Sequence, residues 1–170
     1  MQETLFKDET AAFGNTMLAA GSFTTDQKLL ALSWKQPYAE LMLHGKIETR
    51  TWQTKYRGWV MICASKTGYN FNQVHGIAGD KQIVRITEAL GRNNDHYLNN
   101  YRAGIAIAIG RLIDCRPMRK DDEDKCFVEF YPDLFCHVYD NVKAIKPIIW
   151  KGTQGWKEVT EDIKKQIVFL

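Results

Sequence analysis

The sequence predicts an α+β fold, a small mixed β-barrel with a few peripheral helices. Five or six short apolar or alternating segments read as strands, and they are close neighbours within a chain of 170 residues. Few segments carry helical spacing, whereas a doubly wound sheet would alternate strands with helices throughout. Neither G-x-G-x-x-G nor G-x-x-x-x-G-K-[ST] occurs, which argues against nucleotide-dependent chemistry of those kinds, and no cofactor is expected. A hydrophobic content of 45% with 25% charged residues fits one soluble domain of ordinary size.

Residues 1–27 read as an N-terminal extension, with a loose helix possible over 10–20, and residues 28–170 as the domain. A strand over 29–34 runs into a Gln-Pro turn, and a short amphipathic helix over 37–43 is stopped by Gly45. A strand over 47–52 follows, then an apolar strand over 59–64. Ile83, Ile86 and Leu90 have helical spacing within 82–90, and Gly91 supplies a C-terminal cap before a polar loop. The β-branched run over 104–114 is a central strand with a bulge at Gly110, ending before Arg116-Pro117. The acidic run Asp121-Asp-Glu-Asp124 reads as a solvated loop or the first turn of a helix. Strands over 135–139 and 142–150 are expected to join at an Asp140-Asn141 hairpin-like turn. A glycine-flanked loop, Gly152-Thr-Gln-Gly155, then leads to a last helix over 160–167.

Charge is uneven. Residues 28–66 hold seven Lys or Arg against Glu40 and Glu48, a local 7 − 2 = +5, while the whole chain is only +3. That segment is where an anionic partner docks. No apolar run approaches the roughly 20 residues of a membrane span, and no secretory signal opens the chain, so a cytoplasmic protein without a membrane partner is expected. The four cysteines lack C-x-x-C spacing and the four histidines lack i, i+4 spacing, so reduced thiols and no metal are expected.

Gly45-Lys-Ile-Glu-Thr-Arg-Thr-Trp52 is the most informative stretch. On a strand, Lys46, Glu48 and Arg50 project to one side, which must be a surface, a cleft or a buried ion network. With Leu32-Ser-Trp-Lys-Gln-Pro-Tyr-Ala39 before it and Arg57-Gly-Trp-Val-Met-Ile-Cys-Ala-Ser65 after it, this stretch resembles the signature of the ASCH domain family, of the PUA-like superfamily. Ala106-Ile-Ala-Ile-Gly-Arg-Leu-Ile-Asp-Cys115 and Lys151-Gly-Thr-Gln-Gly-Trp156 are similar to the family's central strand and closing segment. The resemblance implies a PUA-like barrel and an RNA-binding or coactivator-associated module. One bacterial branch of the family hydrolyses N4-acetylcytidine with a lysine, a threonine and a glutamate; Glu48 stands where that branch has its threonine, and the acidic run is a candidate for its glutamate.

The expected function is therefore binding of RNA or a modified nucleoside. Lys46, Arg50, Lys55 and Arg57 would meet phosphates, and Trp34, Tyr38, Trp52, Tyr56 or Trp59 would offer a face to a base. Ser65 and Lys66, at a strand end, are further ligand contacts, and the 151–156 loop is a candidate cleft wall. If the protein is an enzyme, Lys46 and Glu48 are the catalytic candidates, as an amidohydrolase acting on N4-acetylcytidine. A ribonuclease and a protein-interaction module are the remaining alternatives.

Overall fold

The computed structural model describes residues 22–91, 102–152 and 154–170. The loose helix expected over 10–20 and most of the polar loop after Gly91 lie outside these residues. The architecture is mixed α+β, with one six-stranded sheet curled into a half-barrel and a few helices beside it.

Its strands are β1 (Leu29–Trp34), β2 (Glu48–Arg50), β3 (Gly58–Ala64), β4 (Ile105–Pro117), β5 (Phe135–Ile149) and β6 (Lys157–Glu158). They lie in the order β2-β5-β4-β3-β1-β6. The β1–β3 pair is parallel and every other ladder is antiparallel, so the sheet is mixed, as the sequence predicts. The helices are α1 (Tyr38–Leu41), continued by a 3-10 turn over Met42–His44, α2 (Phe71–Leu90), α3 (Glu123–Cys126) and α4 (Glu161–Lys164). Among the described residues no helix is long and apolar enough to cross a membrane.

The apolar strands β1, β3 and β4 form the middle of the sheet. Burial is almost complete along β3 from Trp59 to Ala64 and along β4 from Ala106 to Ile109. One layer packs Leu29, Met61, Ile109 and Ile145 under Phe23 and Trp150; the opposite face packs Leu32, Trp34, Ile62 and Ile107 under Met42. Phe23, placed in the extension by the sequence reading, is buried with its ring 5.8 Å from Trp59.

Two elements differ from expectation, β5 in its pairing with β4 and α2 in its start. The segment expected to form two hairpin strands is one continuous strand, β5, because both halves pair with β4 rather than with each other. Asn141, at φ 49, absorbs the irregularity, and Arg111 grips Asp140 with two hydrogen bonds of 3.0 and 2.7 Å. Gly110, expected to be a bulge, pairs regularly with Val60; the extra residue lies across from it on β5, and a Cβ at Gly110 would meet Val142 Cγ2 at 2.8 Å.

Helix α2 begins eleven residues before the predicted start at Gln82, at Phe71, behind an Asn70–Gln73 capping box. Gly76 and Gly79 hide this half from a periodicity argument. Gly79 breaks the helix at φ 70, and the Glu129 side chain packs so closely over it that a Cβ would collide.

Of the two settings expected for the acidic run, a solvated loop or the first turn of a helix, it takes the second. It forms a 3-10 turn and α3, and Asp122 is buried, accepting from both Arg116 guanidinium nitrogens at 2.7 Å and from the Arg119 N–H at 2.9 Å. The Arg116 hydrogen bonds bring the Asp122 pKa down to about 2 against the opposing effect of burial. Cys126 and Cys136 are buried beside it as free thiols, their Sγ atoms 3.7 Å apart.

Candidate functional site

Residue Lys46 is held from both sides by backbone. Its own N–H donates to the Leu41 carbonyl at 3.2 Å, and the next N–H, of Ile47, donates to Lys125 at 2.9 Å. The chain then enters β2, whose antiparallel register with β5 sets Glu48 opposite His137, Thr49 opposite Cys136 and Arg50 opposite Phe135. Alternation turns Glu48 and Arg50 the same way, and Lys46 joins them from just ahead of the strand.

Of the three settings the sequence allows for this trio, it is a buried ion network, and it floors a cleft of about 750 Å³. The Lys46 ammonium donates to Glu48 Oε2 at 2.8 Å and to the Ile47 carbonyl at 2.9 Å, and it lies 5.2 Å from the Tyr38 ring centroid. Arg50 Nε is 2.9 Å from Glu48 Oε1, close but without the alignment of a hydrogen bond. Its Nη2 donates to the Ser33 carbonyl at 3.0 Å, and the guanidinium lies 5.1 Å from the Trp34 ring. Burial works to raise the pKa of Glu48, but Lys46 and Arg50 outweigh it and hold the carboxyl below its usual 4.5. The network carries one net positive charge. Lys46 shows 1% of its side chain to solvent and Arg50 shows 21%, so of these two cations Arg50 is the one open to the cleft.

Beneath the floor, His137 is fully buried. Its Nε2 donates to the Trp52 carbonyl at 3.0 Å, and its ring meets Trp52 edge to face at 4.8 Å. Among the described residues Nδ1 has no hydrogen-bond partner, and neither do Trp34 Nε1 and the hydroxyls of Tyr38 and Tyr139. Burial, reinforced by the Glu48 charge, raises the pKa of both phenols. Burial lowers the pKa of His137 below 6.5 more than the Trp52 carbonyl and Glu48 raise it, so the ring is neutral at pH 7. An unfolded histidine binds its proton first as pH falls. Stability is therefore expected to decline below pH 6.5 until the lowered folded value is passed. His137→Gln, which keeps a donor but does not titrate, should flatten that part of a profile of urea midpoint against pH.

The cleft walls combine predicted and unpredicted residues. Lys46, Glu48, Arg50, Trp52 and Ser65 line it, and Gln154 and Gly155 bring the predicted closing loop to it. Lys55, Tyr56, Arg57 and Lys66 do not. Lys55 and Lys66 are exposed outside the lining; the Tyr56 hydroxyl donates to the Trp59 carbonyl at 2.9 Å, and its ring packs 5.4 Å from Trp156. Arg57 donates to the carbonyls of Thr54 and Tyr56 and lies 3.5 Å from Asp114. The segment after β2 bends along β4, so its charges tie down their own loop. Trp59 is buried core. No residue of the acidic run lines the cleft either.

The opposite wall comes from Val128, Glu129, Phe130 and Tyr131, with Tyr69 and Ile77 beside them. The sequence carries no signal for these beyond the aromatic pair itself, because only the docking of α2 and the 127–134 loop brings them to β2. Among the described residues no group of three or more His, Cys, Asp or Glu side chains is placed to hold a metal ion.

No protein-family model matches the chain, and no curated protein matches it.

Proposed function

We propose that the protein is a PUA-like barrel of the ASCH type that acts in the cytosol, binding RNA or a modified nucleoside in the cleft over Lys46, Glu48 and Arg50. One observation carries this reading: a cleft of about 750 Å³ with a cationic floor and the aromatic side chains of Trp52, Tyr69, Phe130 and Tyr131 in its walls. That volume lies within the roughly 300–1,000 Å³ of small-ligand sites. Aromatic walls with a reachable guanidinium suit a planar, hydrogen-bonding base better than a lipid or a bare ion.

The test is fluorescence anisotropy of a labelled random-sequence 12-nucleotide RNA, with saturation-transfer NMR of N4-acetylcytidine and the four ribonucleosides. Base stacking is worth about 1–3 kcal/mol, so Trp52→Ala is expected to weaken binding by roughly 5- to 150-fold. Absence of any binding by the wild-type protein, or undiminished binding by Trp52→Ala, would overturn the reading.

Hydrolysis of the N4-acetylcytidine amide is the second reading, favoured by the presence of a buried lysine in the cleft lining. It ranks second because the Lys46 Nζ is turned to Glu48 and the Ile47 carbonyl, at 2.8 and 2.9 Å, and is almost wholly out of reach of solvent. Chromatographic detection of released cytidine, lost in Lys46→Ala, would reverse the order.

A further inference from the structure

One end of the sheet gathers lysines that have no carboxylate partner among the described residues. Strands β1, β3 and β5 all run the same way, since β1 is parallel to β3 and two antiparallel ladders separate β3 from β5. Their last residues fall in one cross-strand row, in which Trp34 pairs with Ala64, Ala64 with Ile105 and Ile105 with Ile149. Within two residues of that row each of the three strands puts out a lysine: Lys35, Lys66 and Lys151.

All three are exposed, and among the described residues none has a carboxylate partner. The arginine at the same end, Arg102, is already compensated by Glu40 at 3.4 Å. The row borders the cleft. Lys35 lines it, with Nζ 4.7 Å from the Tyr69 ring centroid, and so does Ser65, next to Lys66. The Lys66 side chain crosses Gly104, where a Cβ would meet its Cγ at 3.2 Å. Trp150, next to Lys151, donates its N–H to the Gly104 carbonyl at 2.9 Å, and the same loop returns to the cleft at Gln154.

We propose that Lys35, Lys66 and Lys151 form a phosphate-binding rim, so that the ligand is a single-stranded RNA that lays its backbone along this end of the sheet while one base enters the cleft. This rests on the nucleoside-binding reading of the cleft and adds the polymer to it. From β1 to β5 the row crosses three inter-strand spacings, about 14 Å. That is longer than one phosphate group, whereas phosphates recur about every 3.4 Å along a stacked strand and further apart in an unstacked one. A duplex would keep its bases stacked and out of the cleft, so the strand is single.

The experiment measures anisotropy of the labelled 12-nucleotide RNA between about 50 and 200 mM salt. Each phosphate contact contributes about 0.7 to the slope of log affinity against log salt for a single strand. The triple variant Lys35→Gln, Lys66→Gln, Lys151→Gln is expected to lower that slope by about 2 and to weaken binding at least about tenfold at the low-salt end. The double variant Lys66→Gln, Lys151→Gln, whose residues lie off the cleft lining, should lower the slope by about 1.4 and leave nucleoside binding by NMR unchanged. An unchanged slope in a protein that still binds nucleosides would overturn the rim and leave the cleft reading standing. Equal, lysine-dependent binding of an oligoglutamate peptide would likewise overturn it, since the rim would then select charge and not RNA. Loss of both RNA and nucleoside binding in the wild-type protein would overturn the two together.

Discussion

Replacing Glu48 by alanine is expected to cost about 3–5 kcal/mol, because it leaves buried cations unpaired. Glu48 is 6% exposed and its carboxylate stands between two cations, 2.8 Å from Lys46 Nζ and 2.9 Å from Arg50 Nε. Without it, Lys46 keeps only the Ile47 carbonyl and the face of Tyr38, and a nearly inaccessible ammonium is left beside a guanidinium. For a chain of this size the thermal midpoint should fall by roughly 6–20 °C. The double variant Lys46→Met, Glu48→Met tests the cause. It removes the buried charges together, and because isolated buried charge is what costs, it should be markedly more stable than Glu48→Ala. If the two melt alike, loss of the side chain's packing, and not unpaired charge, explains the effect.

The same network gives an acid limb. The folded pKa of Glu48 lies below 4.5 because Lys46 and Arg50 outweigh burial, so its contribution is fully present above pH 4.5 and is lost as pH falls through the folded value. That limb lies below the His137 limb, which starts at 6.5. In the Lys46→Met, Glu48→Met variant the lower limb should weaken while the upper one stays.

The floor of the site was legible in the sequence because it depends on one local rule. Alternation along a strand forces Glu48 and Arg50 together, and Lys46 lies one step away in the same pattern. β1, β3 and the first half of β4 were legible for a similar reason: as buried central strands they consist of almost unbroken apolar residues.

What the sequence hid depends on pairing between distant segments. Asp140-Asn141 has the composition of a turn, and only the choice of β4 as partner for both flanks makes it a bulge within β5. His137 lies under the floor because β5 sets it opposite Glu48, 89 residues away in sequence. Lys55 and Arg57 share the composition of the signature but not its geometry, since the chain leaves β2 after Arg50 and their loop turns toward Asp114.

Replacing Trp34 by alanine is expected to cost about 3–5 kcal/mol, comparable to Glu48→Ala but by another route. The indole is 1% exposed, among the largest fully buried side chains, and packs edge to face on Tyr139 at 6.0 Å. It also carries the Arg50 guanidinium at 5.1 Å, so alanine both opens a cavity in the apolar layer and withdraws the surface on which this cation rests. Trp34→Phe separates these contributions. Among the described residues Trp34 Nε1 has no hydrogen-bond partner, so phenylalanine forfeits none there, keeps an aromatic face under Arg50 and leaves a smaller void. It should cost about 1–2 kcal/mol and retain RNA affinity within a few-fold. Trp34→Leu fills comparable space without a π face and should match Trp34→Phe in urea midpoint while binding RNA more weakly. Equal affinity in the two variants would show that Trp34 serves the core alone and that Arg50 holds its position through Glu48 and the Ser33 carbonyl.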